Sequence, residues 1–98
     1  MNSPKFKASA RPKVWDKKWR IALYDVPTGE RLKRDAIRAA LQRIGFFQLQ
    51  KSVWVYPFDC GKEIHFLISF FELTPKEFRL VTTGSIGDDA LLRKRFRL

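Results

Sequence analysis

"WRIALYDVPTGERLKRD", residues 19–35, carries three local signals in one short run. Trp19, Ile21 and Leu23 alternate with Arg20, Ala22 and Tyr24, the period of two that a pleated strand imposes. Asp25 closes the run, and Pro27 lacks the N–H that a central strand needs to continue. Thr28 then reads as a helix N-cap, Glu30 suits the first turn, and Gly45 suits the position just past the helix end. Between them Leu32, Ala36, Ala40, Leu41 and Ile44 recur at helical spacing and form one apolar stripe. The opposite side carries Arg31, Lys33, Arg34, Arg38 and Arg43. These cations are either a solvated helix face or a set of phosphate contacts.

Further along, "FFQLQKSVWVYP" (46–57) is rich in aromatic and β-branched residues. Lys51-Ser52 turns it into two short strands, the alternative being a single kinked strand. Pro57 ends the run, and "GKEIHFLISFFEL" (61–73) returns to helical spacing through Ile64, Leu67, Ile68 and Phe71. Phe66 and Phe70 widen that apolar face, so it reaches beyond one sheet to a loop, the C-terminal tail or a partner. Lys62, His65, Ser69 and Glu72 form a narrow polar edge. "FRLVTT" (78–83) predicts a strand, Gly84 and Gly87 a loop, and "DDALLRKRFRL" (88–98) a short basic helix capped by Asp88. The order is βαββαβ plus a tail. Right-handed crossovers turn that order into an α+β ferredoxin-like sandwich. One sheet face stays bare, with Arg20, Ala22, Tyr24, Trp54 and Tyr56 expected on it, and an uncovered aromatic sheet predicts a homodimer.

Composition agrees with one domain over residues 15–98 behind a basic arm at 1–14. The chain has 98 residues, 45% of them hydrophobic, enough for a packed interior. Its net charge of +10 favours polyanions, nucleic acid first and an anionic membrane surface second. Cys60 is the only cysteine and His65 the only histidine, which excludes an internal disulfide and a Cys–His zinc site. A reducing cytoplasm is the expected location. The basic start has no apolar h-region, and no stretch approaches the ~20 apolar residues of a membrane span.

The catalytic signals are few. No Gly-rich phosphate loop, H-E-x-x-H motif or close carboxylate pair within one element is present. Asp25, at the end of a strand beside an open sheet face, is the best candidate for catalysis or metal binding. Magnesium takes several oxygen ligands, and one aspartate is too few. A two-fold dimer would present the residue twice, and a facing pair of carboxylates would hold a metal that activates water. The plainer alternative is a polar strand end that orders the following turn. His65 reads as a surface group, and Cys60 as a half-buried thiol or, at a helix start, one with a lowered pKa.

"RIALYDVP" (20–27), "RIGFFQLQKSVWVYP" (43–57) and the helix between them resemble the Cas-two family of CRISPR-associated adaptation proteins. They are more similar still to the related domain of PaaX-type transcriptional repressors. The resemblance spans about residues 15–98 and rests most on the Tyr-Asp-hydrophobic-Pro strand end and "QKSVW" (50–54). It implies a ferredoxin-like homodimer that binds double-stranded DNA, bridges dimers of a CRISPR integrase subunit during spacer acquisition and, in some members, cuts RNA or DNA with magnesium. The family's metal-site aspartate falls on Asp25 and its serine on Ser52. Arg20, Arg31, Lys33, Arg34, Arg38, Lys51, Arg93, Lys94 and Arg95 are the expected DNA contacts. "SVWVYP" (52–57), "LLRKRFRL" (91–98) and the extension ending in "PKVWDKKWR" (12–20) lean toward the PaaX type. The chain's size ranks a free-standing adaptation protein first and a regulator's dimerisation and DNA-binding domain second.

Overall fold

The computed structural model describes residues 14–98, so the expected arm at 1–14 lies outside the described residues apart from Val14. In chain order the elements are β1 (Trp19–Tyr24), α1 (Arg31–Ile44), β2 (Phe47–Gln50), β3 (Val53–Tyr56), α2 (Gly61–Phe71), β4 (Phe78–Thr83) and α3 (Ala90–Phe96). The strands form one antiparallel sheet in the order β2-β3-β1-β4. This α+β arrangement is compatible with the ferredoxin-like sandwich.

Local chemistry sets the element boundaries. Lys51 and Ser52 reverse the chain between β2 and β3, so 46–57 is a hairpin, with an irregularity between Gln48 and Gln50. Gly45 ends α1 at φ +118°, where its N–H reaches the Leu41 carbonyl. A Cβ there would also meet the Tyr56 ring at 3.0 Å, so only glycine fits. The N-cap of α1 is Glu30, without a side-chain cap bond, rather than Thr28. Arg34 reaches back to the Pro27 and Thr28 carbonyls, both at 3.4 Å, and ties the helix to the loop before it. Helix α2 stops at Phe71, because Glu72 turns left-handed at φ +52° and Leu73 folds into the core. Asp89, not Asp88, occupies the N-cap position of α3, while Asp88 accepts from the Ala90 N–H at 3.2 Å.

The two faces of the sheet are the reverse of the expectation. Ala22, Tyr24, Trp54 and Tyr56 are buried under α1 and α2 with Ile37, Leu41, Ile64 and Leu67. Arg20, which shares their parity on β1, is buried too. Its Nη1 donates to Asp16 at 2.8 Å and to the Pro57 carbonyl at 2.9 Å, and its Nη2 donates to Asp16 at 2.7 Å. A charged residue on the covered face is tolerated because ion pairing with Asp16 neutralises it there. Opposite stand Ile21 and Leu23, paired with Val55, Val53, Val81 and Arg79, and Trp19, paired with Thr83. Helix α3 covers one end of that face, setting Leu92 against Trp19 and Val55, with Phe47, Ile86 and Phe96 alongside. The rest is open: Leu23, Leu49 and Val81 are exposed.

Candidate functional site

Three segments meet where β1 ends. The Tyr24 N–H donates to the Ser52 carbonyl at 3.3 Å and the Asp25 N–H to the Glu77 carbonyl at 2.9 Å. This draws the Lys51-Ser52 hairpin turn and the turn before β4 around Asp25. The Glu77 carboxylate closes the latter turn on the Thr74 N–H at 3.0 Å and also accepts from Lys33 at 3.2 Å. The Thr74 N–H bond, with Lys33 beside it, holds the Glu77 pKa below the usual carboxylate range, and Glu77 in return raises that of Lys33. The result is a shallow depression of about 370 Å³ lined by Asp25, Ser52, Lys76 and Arg79 among others.

Tested against magnesium, this corner does not fit within one chain. Asp25 is its only carboxylate and shares it with two cations, whereas magnesium takes an octahedron of oxygens. Among the described residues no group of three or more His, Cys, Asp or Glu side chains converges anywhere. Ser52 lines the same depression as Asp25, but the pair supplies no second anion. His65 is exposed on α2, and Cys60 is buried at that helix's start, away from the Asp25 depression.

The expected DNA contacts divide by what already holds them. Arg20 is buried on Asp16, Lys33 is bound by Glu77 and Glu30, and Arg34 supports the loop before α1. Arg31 pairs loosely with Asp35 at 3.8 Å. Arg93 pairs with Asp89 and lies 4.8 Å over the Trp15 ring, and Arg95 lies 4.9 Å over Phe47. Arg38, Lys51 and Lys94 are exposed. Helix α1 covers one side of the sheet and α3 the other, so these cations form no single patch.

The family described as the PaaX protein central Cas2-like domain matches residues 12–91. The chain belongs to that family. No curated protein and no solved structure matches it. The matched span runs from just before the Asp16–Arg20 pair into the start of α3, so this Cas2-like domain includes the sheet, both covering helices and the Asp25 corner. Sequence reasoning missed the anchor of α3, in which the Trp19 Nε1–H donates to Asp89 at 3.1 Å. That bond, ahead of Arg93, keeps the Asp89 carboxyl below its ordinary pKa. The two residues lie 70 positions apart, and no local periodicity reports such a contact. Among the described residues no helix of the Cas2-like domain is long and apolar enough to cross a membrane.

Proposed function

We propose that this Cas2-like domain is the self-associating module of a PaaX-type transcriptional regulator, adding sequence-independent contact to the backbone of duplex DNA. Its ferredoxin-like sandwich acts as scaffold, without phosphodiester cleavage. The family match over 12–91 carries the reading. The open sheet face supports it: Leu23, Leu49 and Val81 leave apolar surface in water that a second copy would cover. The cations of α1 and α3 support backbone contact, because charge without base-reading geometry recognises phosphate rather than sequence. The free-standing adaptation-subunit reading leans on Asp25 as a metal ligand shared across a dimer. Lys76 and Arg79 weigh against it, since facing corners would also bring their cations together.

The test is light scattering at micromolar concentration on wild type and on Leu23→Glu. The expected wild-type mass is that of a dimer of the 11.6 kDa chain, and the variant runs as a monomer. A monomeric wild type, or a variant that stays dimeric, overturns the proposed interface. Magnesium-dependent cleavage of RNA or duplex DNA by wild type but not by Asp25→Ala restores the nuclease reading.

A further inference from the structure

A second apolar surface lies between α1 and α2, a groove of about 380 Å³ distinct from the open sheet face. Ala36, Ala39 and Ala40 form one wall, and Phe66 and Phe70 form the other. Phe70 is 65% exposed, an unusual position for a phenyl ring. It nevertheless has ring partners: it stacks on Phe66 with centroids 5.8 Å apart and meets Phe71 edge-on at 4.9 Å. Leu32, 86% exposed, stands one turn before Ala36 and lengthens the alanine wall. Small residues facing aromatic rings leave a trough shaped for the ridge of a third helix.

Charge decides what occupies it. Among the described residues Arg43 is the only charged one lining the groove. Among the described residues Arg43 forms no ion pair within 4.0 Å. A second copy seated here would set Arg43 against its counterpart, which like-charge repulsion disfavours. We propose that the groove docks an acidic amphipathic helix from a partner protein, with apolar side chains between the alanine and phenylalanine walls and a carboxylate on Arg43.

The probe is a synthetic amphipathic helix with leucines at i, i+4 and i+7 and glutamates on both flanks, compared with the same peptide carrying lysines. Fluorescence anisotropy with the full chain should give about tenfold or greater preference for the glutamate peptide. Phe70→Ser should lose that binding, and circular dichroism checks that the variant folds, as the exposure of Phe70 leads one to expect. Arg43→Glu keeps the groove's apolar walls and should reduce or reverse the preference. No binding, equal binding of both peptides, or undiminished affinity in Phe70→Ser overturns the proposal. So does a wild-type dimer that Phe70→Ser converts to monomer, since the groove would then belong to self-association.

Discussion

Trp19 and Trp54 are both buried, yet only one has an outlet for its indole N–H. Trp19 donates to Asp89, whereas Trp54 Nε1 has no hydrogen-bond partner among the described residues. Replacing either by phenylalanine removes similar ring area, but at Trp54 it also deletes a stranded donor, a penalty of about 1–3 kcal/mol. Trp19→Phe should therefore destabilise more than Trp54→Phe by roughly that amount, read from urea midpoints, and equal losses would refute the assignment. The Asp16–Arg20 pair gives a second residue-scale prediction. Hydrogen bonding to Arg20 lowers the Asp16 pKa from 3.8 to about 2. A carboxyl depressed in the folded state stabilises fully above its unfolded pKa, and that contribution fades as pH falls from about 4 toward 2. Asp16→Asn should lower the urea midpoint at pH 7 and flatten this acid limb; Glu77 and Asp89, also depressed, keep part of it. A variant with the wild-type pH profile would show that the pair does not couple to folding. Arg20 is also where sequence reading failed. Alternation gives two faces to a strand but not which is inside, and a charged residue tips the choice outward until its distant partners, here the Pro57 carbonyl, are known.

At the scale of elements most boundaries were legible, because period and punctuation are local properties. "FRLVTT" is β4, the Lys51-Ser52 reversal makes the hairpin, and Gly45 ends α1. The helix starts were read less well: Thr28 and Asp88 have cap chemistry, but Glu30 and Asp89 hold the cap positions. Neither cap residue makes a side-chain cap bond, and at α3 the local bond comes from Asp88 one residue earlier, onto the Ala90 N–H, so cap chemistry in the sequence locates these ends only to within a residue or two. Gly45 tests the opposite case, in which local chemistry rules. Gly45→Ala forces an L-residue to φ +118° and presses a methyl on the Tyr56 ring. Such strain costs about 1–3 kcal/mol, and denaturant unfolding should report it, whereas Gly29→Ala, with open space around its Cβ, should lose much less. Similar losses at the two sites would deny Gly45 its special role. The docking of α3 was not legible at all, since Leu92, Asp89 and Arg93 meet Trp19 and Trp15 from the far end of the sequence, 70 positions away in the Trp19–Asp89 case.

At the scale of the whole molecule, the placement of α3 would tie the proposed self-association to the proposed DNA contact. It lies on the same sheet face as exposed Leu23 and Val81, while α1 lies on the other. A dimer closed over that face carries the α3 cations of both copies along the rim of one interface and turns the α1 helices outward on opposite sides. A single duplex then meets two α3 helices together but not both α1 helices. Affinity should fall with salt at a slope of about −0.9 per phosphate neutralised. Replacing Lys94 and Arg97, both exposed, with glutamine should shallow that slope by about one per cation removed from each chain. Replacing Arg31 and Arg38 should change it far less. Leu23→Glu, which carries no DNA-facing charge in wild type, should also shallow the slope by separating the two α3 helices. Anisotropy titrations of a fixed duplex across a salt series separate these outcomes. A slope that ignores the α3 substitutions moves the contact elsewhere, and one that ignores Leu23→Glu severs DNA contact from the dimer.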